Sequence, residues 1–143
     1  RDSVDIKNFY ITRDPYEEDV RKALNFGHTM GHAFESLALE KGRPLLHGEA
    51  VAWGLLCEYR LSMKLRSADA TPFNNLKDFV ERNYSKFDLD RSEIPALFRY
   101  LMEDKKNQKN RINFTLLKSI GDPLIDQYVG KYEIENCLKA LLE

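Results

Sequence analysis

Between Asn25 and Glu49 the chain sets two glycines and two histidines at matching four-residue intervals, Gly27 with Gly31 and His28 with His32. Residues four apart in a helix lie one turn apart on the same face. The two imidazoles therefore project together, beside a strip without side chains. A glycine inside a helix costs about 1 kcal/mol relative to alanine, so two at this spacing call for close approach of another helix or of a ligand. The third histidine, His47, follows the Lys41-Gly42-Arg43-Pro44 break and stands near the start of the next helix, from which it can return to that face. Neutral imidazole is the commonest ligand of zinc, and a catalytic zinc keeps three protein ligands and one open position. On spacing alone all three histidines qualify, and each also has the simpler reading of a satisfied or exposed helix residue.

The surrounding pattern is mainly helical. Asp14-Pro15-Tyr16-Glu17 reads as a helix start, with Asp14 as N-cap, Pro15 at the first position and Glu17 as a capping-box acid. That helix is expected to run through the histidines to about Leu39, where Gly42 and Pro44 end it. A second helix is expected from His47 to about Leu65, a third from the Thr71-Pro72 start, and a fourth after Ser92. Alternating apolar residues over 111–116 predict a strand, Gly121-Asp122-Pro123 a turn, and 124–129 its hairpin partner. Residues 132–142 predict a closing helix.

Composition narrows the function classes. Lys+Arg of 22 against Asp+Glu of 23 leaves a formal net charge of -1, without the footprint of a nucleic-acid or acidic-membrane binder. The chain has no apolar run of the roughly 20 residues a membrane span needs and no apolar segment of a signal peptide at its start. Its two cysteines, Cys57 and Cys137, sit in partly apolar helical stretches and read as buried free thiols, so a cytoplasmic protein is expected. One domain accommodates 143 residues, and a chain beginning at Arg1 rather than Met reads as a fragment.

The run Arg21-Lys22-Ala23-Leu24-Asn25-Phe26-Gly27-His28-Thr29-Met30-Gly31-His32-Ala33-Phe34-Glu35 resembles the signature of the 3-dehydroquinate synthase family. His47-Gly48-Glu49-Ala50-Val51-Ala52 resembles that family's second block. Lys7, Asp14, Glu17 and Arg21 stand at the spacings of its approach to the signature, and Asp104-Lys105-Lys106 before a short strand resembles a later element. Two departures stand out. Pro15 replaces an acid, and Leu39-Glu40-Lys41-Gly42-Arg43 reads as an insertion before His47.

The resemblance implies a mainly α, helical C-terminal domain with a small β-hairpin. Residues 1–143 would be its metal- and substrate-binding domain, and the NAD-binding N-terminal domain would lie outside this chain, which carries no Gly-rich dinucleotide fingerprint. The implied activity converts 3-deoxy-D-arabino-heptulosonate 7-phosphate to 3-dehydroquinate and phosphate in the shikimate pathway of aromatic amino acid biosynthesis. It uses NAD and a divalent metal, Zn2+ or Co2+, in a homodimer, and the isolated chain is expected to be inactive. By the same resemblance His28 and His47 are metal ligands, completed by a glutamate upstream of this chain. His32 faces substrate and assists proton transfer, which replaces the three-histidine reading. Glu17 becomes a proton acceptor beside its capping role. Lys7, Arg21, Asn25 and one of Lys105 and Lys106 become substrate contacts, and spacing does not choose between those two lysines. Glu49 either orients His47 or serves as a helix-start acid. The alternatives are another sugar-phosphate cyclase, a metal-dependent alcohol dehydrogenase, which the Asn25-Phe26-Gly27-His28 run disfavours, and a non-enzymatic helical metal-binding module.

Overall fold

The computed structural model describes residues 1–85, 88–103 and 110–141. These form, in order, α1 (Asp2–Arg13), a 3-10 turn at Val20–Asn25, α2 (His28–Glu40), α3 (His47–Arg66), α4 (Ala70–Asn83), α5 (Ile94–Met102), the antiparallel hairpin β1 (Arg111–Ser119) and β2 (Asp122–Gly130), and α6 (Lys131–Leu141). The mainly helical fold with one hairpin agrees with the sequence reading. Asp104, Lys105 and Lys106 lie outside the described residues.

The long helix α3 is the hub. Ala50, Trp53, Leu56, Cys57, Tyr59 and Leu61 are all buried, although they point in different directions around the helix. A helix apolar on several sides must be enclosed. Here α2, α4, α6 and β1 enclose it. Met30, Phe34 and Leu37 from α2, Leu97 from α5, Ile112, Phe114 and Leu116 from β1, and Ile134 and Leu138 from α6 complete one continuous core. Burying each large side chain contributes about 1.5–3 kcal/mol. Cys57 and Cys137 are buried and unbridged, as expected, with Cys137 Sγ donating to the Cys57 carbonyl at 3.2 Å.

Helix ends follow their local chemistry. At the end of α2, Gly42 takes φ +65°, its N–H donates to Leu39 O and that of Arg43 to Ala38 O. This Schellman arrangement satisfies the last carbonyls and confirms Gly42 as the stop. Glu49 accepts from the Leu46 N–H at 3.3 Å, which makes it the helix-start acid of α3. The start of α4 lies one residue upstream of the expected Thr71-Pro72 start, and α5 begins after Ser92 as expected. Asp69 caps Thr71 N, and Asp90 caps Ser92 N in a short 3-10 turn ahead of α5.

The first forty residues depart most from the sequence reading. A single helix from Asp14 to Leu39 does not form. Asp14 instead ends α1 and folds its carboxylate back onto the N–H groups of Glu18, Asp19 and Arg21 at 2.8–3.1 Å. It caps a loop rather than an α-helix. Glu17 in that loop has φ +57° and is not a capping-box residue. Burial would raise the Asp14 pKa; the three backbone donors, helped by the Arg21 charge, outweigh it and hold the carboxyl below its usual range. The second correction is Gly27. It is not interior to a helix but is the N-cap residue of α2, with φ +85°, a conformation that glycine adopts without strain.

Gly31 does lie inside α2, and close approach explains it. A Cβ there would meet Val51 Cα at 3.0 Å. Across the same contact, a Cβ on Gly54 would sit 2.0 Å from the Gly27 carbonyl oxygen. The backbones of α2 and α3 touch along Gly27, Gly31 and Gly54, which sets the height of His28 against the start of α3.

Candidate metal and substrate site

The crossing of α2 and α3 brings the three histidines together. His28 and His32 come from successive turns of α2, and His47 is the first residue of α3. Their ring centroids form a near-equilateral triangle with sides of 5.6, 5.7 and 5.6 Å. A triangle of that size leaves room for one small ion at the zinc–imidazole length of about 2.0–2.1 Å. Among the described residues no group of three or more His, Cys, Asp or Glu has its donors gathered as a metal site.

The ring nitrogens separate the three. His28 Nδ1 faces the Phe26 carbonyl at 3.4 Å, and His47 Nδ1 faces Glu35 Oε2 at 3.1 Å. Both arrangements occupy Nδ1 with an acceptor and leave Nε2 available, the pattern of metal-ligating histidines held from behind. His32 has no such acceptor among the described residues. Burial lowers the His28 pKa below the usual imidazole range; the Phe26 carbonyl opposes this, and His32 and His47 reinforce it. A neutral ring is the form that binds a metal. Glu35, not Glu49, is the carboxylate behind His47, and only the fold reveals it, because twelve residues and the Gly42 turn separate the two.

Two clefts meet at His28. One, of about 300 Å³, is polar and lined by Glu17, Lys22, Asn25, His28 and His32, with Asn113, Thr115 and Asp126 of the hairpin opposite. The other, of about 280 Å³, is largely apolar and lies between His28 and His47 and the Leu55, Phe79 and Tyr84 side chains. His32 borders only the polar cleft and His47 only the apolar one. In the polar cleft Asn25 Nδ2 donates to Glu17 Oε1 at 2.6 Å. Lys22 pairs with Asp126 at 2.8 Å, and Asn113 donates to the same carboxylate at 2.9 Å. That bond with Asp126, against a smaller opposing effect of burial, raises the Lys22 pKa.

The chain matches the family described as 3-dehydroquinate synthase C-terminal over residues 1–107. It belongs to that family. Curated relatives named 3-dehydroquinate synthase include the protein of Parabacteroides distasonis, 44% identical over 132 residues (92% of this chain, 37% of that protein). That of Leuconostoc citreum is 38% identical over 121 residues, covering 82% of this chain and 32% of its own length. That of Sulfurovum sp. is 31% identical over 144 residues, covering 100% of this chain and 40% of its own. The chain thus spans a third to two fifths of the relatives it matches. Among solved structures it is similar to a 2-deoxy-scyllo-inosose synthase complexed with carbaglucose-6-phosphate, NAD+ and Co2+, with TM-score 0.73 and 20% identity over 89% of this chain and 37% of that one. That likeness concerns the fold.

Of the residues the sequence singled out, the fold of this 3-dehydroquinate synthase domain gathers Glu17, Asn25, His28, His32 and His47. It does not bring Lys7 or Arg21 to the cleft. Lys7 is exposed on α1, which buries no residue, and Arg21 Nη1 donates to the Pro15 carbonyl at 2.8 Å. Sequence reasoning missed Glu35, the hairpin wall of Asn113, Thr115 and Asp126, and Glu58. The last is fully buried on α3 and accepts from Gly27 N at 2.6 Å and Met30 N at 3.0 Å. Its one sequence signal is being the sole acid in the apolar run 50–59. No described helix is long and apolar enough to cross a membrane.

Proposed function

We propose that this chain is the metal- and substrate-binding domain of a cytoplasmic 3-dehydroquinate synthase, converting 3-deoxy-D-arabino-heptulosonate 7-phosphate to 3-dehydroquinate and phosphate. The observation that carries the reading is the histidine triangle at the junction of a polar and an apolar cleft. The donor set fits a divalent metal such as zinc or cobalt: His28 is kept neutral and both His28 and His47 have Nδ1 held from behind. These two residues would hold the ion, with a third ligand and the NAD site supplied by an N-terminal domain in a homodimer. When bound, the metal supplies Lewis-acid polarisation of a substrate oxygen.

The chain's own groups then have separate tasks. Asn25 donates to Glu17 at 2.6 Å, which orients the carboxylate that would accept a proton from substrate in the cleft. His32 borders the same cleft without an acceptor behind it among the described residues, so it can hydrogen-bond substrate and pass a proton. Lys22 and Asp126 contribute a neutral ion pair to that wall, from which the ammonium can also donate to a substrate oxygen. Lys7, Arg21 and one of Lys105 and Lys106 are proposed to meet the carboxylate and phosphate of substrate in the complete enzyme; for Arg21 this requires release from the Pro15 carbonyl.

The test is phosphate release from the heptulosonate phosphate by the full-length protein, with NAD and Zn2+ or Co2+. Metal-dependent turnover supports the reading. Activity only on a hexose phosphate would establish a different sugar-phosphate cyclase, and turnover by the 143-residue chain alone would refute the division of the site.

A further inference from the structure

We propose that Glu58 is a positioning residue for the metal ligand His28. Three observations support this. Glu58 is wholly buried, and its two carboxyl oxygens accept from different backbone donors, Oε2 from Gly27 N at 2.6 Å and Oε1 from Met30 N at 3.0 Å. Those donors flank His28 on both sides of the chain, so the clamp fixes the peptide units on which the imidazole stands. Finally, Gly54, one turn earlier on α3, lacks the Cβ that would strike the Gly27 carbonyl at 2.0 Å. Gly54 and Glu58 together grip both ends of the same residue.

The first N–H groups of a helix have no partner within it. At an exposed start the N-cap side chain or water satisfies them. Here the N-cap is glycine, which has no side chain to offer, and α3 shields the turn. An acceptor must therefore come from another element, and Glu58 supplies it from 31 residues away. A surface cap would satisfy the same donors without fixing their position. Glu58 ties the His28 turn to α3, the helix that begins with His47, so both ligands are set from one rigid body. The spacing between them then does not depend on the loop at 41–46.

The inference rests on His28 being a ligand, and the experiment separates the two claims. Selectively 15N-glycine-labelled full-length protein, free of metal, reports the Gly27 amide directly. The short hydrogen bond is expected to place its proton well downfield, and the shift is expected to disappear in Glu58→Met, which keeps the side-chain length and removes both acceptors. Co2+ affinity is then measured for wild type, Glu58→Gln, Glu58→Met and His28→Ala. Glu58→Met is expected to weaken Co2+ binding by about tenfold or more, the scale for losing a partner behind a ligand. Glu58→Gln, with one accepting oxygen left, should fall between Met and wild type. Leu138→Ala is the control for stability: Leu138 is buried in the core from α6, and its loss is expected to lower the melting temperature with Co2+ affinity unchanged. An unshifted Gly27 amide in wild type, or a folded Glu58→Met with wild-type Co2+ affinity while His28→Ala has lost it, overturns the proposal. If His28→Ala binds Co2+ normally, the ligand assignment fails instead, while the amide shift still reports the clamp.

Discussion

Replacing Gly54 by alanine adds one methyl where α2 and α3 touch. The added carbon would lie 2.0 Å from the Gly27 carbonyl oxygen and 2.7 Å from the Gly31 nitrogen, both backbone atoms. Neither can rotate away, so the start of α2 must retreat by more than 1 Å as a unit, roughly the gap to an ordinary carbon–oxygen contact of about 3.3 Å. That retreat strains the Glu58 hydrogen bonds and opens the packing of Met30 and Phe34. Overpacking a rigid core costs about 1–3 kcal/mol and sometimes more, and alanine returns up to about 1 kcal/mol of helix propensity. With two backbone clashes, the net expectation is a loss of about 3 kcal/mol, equivalent to roughly 10 °C in melting temperature for a domain of this size. Gly48→Ala is the matched comparison, since a Cβ there meets nothing within 4 Å; it should be neutral or stabilise by up to about 1 kcal/mol. Urea denaturation of both variants decides the matter. A Gly54→Ala protein within about 0.5 kcal/mol of wild type would refute the argument that backbone contact requires this glycine.

Further consequences concern titration, orientation and reactivity. Burial, opposed by the Met30, Gly27 and Thr29 amides, pushes Glu58 up to about 8. The folded chain therefore keeps a proton that the unfolded chain has lost above its ordinary glutamate pKa of about 4.3. Stability of the metal-free protein should fall as pH rises from about 4.3 to about 8 and then level off, by at most about 5 kcal/mol; denaturation curves of wild type and Glu58→Gln that run parallel over this range would count against it. Glu35→Gln should weaken Zn2+ binding about tenfold or more, because Glu35 lies behind His47, whereas Glu49→Gln should affect only the α3 start; titration calorimetry that ranked them the other way would reinstate Glu49. Burial raises the Cys57 thiol pKa well above the usual range, and Cys137 is buried with it. A thiol reagent should therefore label neither without denaturant, and rapid native labelling would contradict their enclosure.

Much of this architecture was legible in the sequence where the signal was local. Gly42 and Pro44 announced the end of α2, alternation marked the hairpin, and the His28/His32 spacing put two rings on one face. The misreadings arose where a distant residue decides the local conformation. Gly27 fits a helix interior by pattern, but Glu58, on another helix, turns it into an N-cap. Asp14-Pro15 has the composition of a helix start, yet the aspartate carboxylate finds three N–H groups of a loop. α1 buries no residue and leaves its apolar Val4, Ile6 and Phe9 exposed; its acids at Asp2 and Asp5 and its terminal Arg13 suit the helix dipole. In the site, Glu35 rather than Glu49 faces His47, a pairing that depends on the angle at which α2 and α3 cross.

The assignment of different tasks to three neighbouring histidines is tested most directly by Co2+ titration of the full-length protein, followed in the visible spectrum, for His28→Ala, His47→Ala and His32→Ala in parallel with turnover. His28→Ala and His47→Ala are expected to lose tight binding and activity together. His32→Ala is expected to bind Co2+ like wild type and to lose turnover alone. Loss of Co2+ affinity in His32→Ala equal to that in the other two would restore a three-histidine metal site and contradict the account.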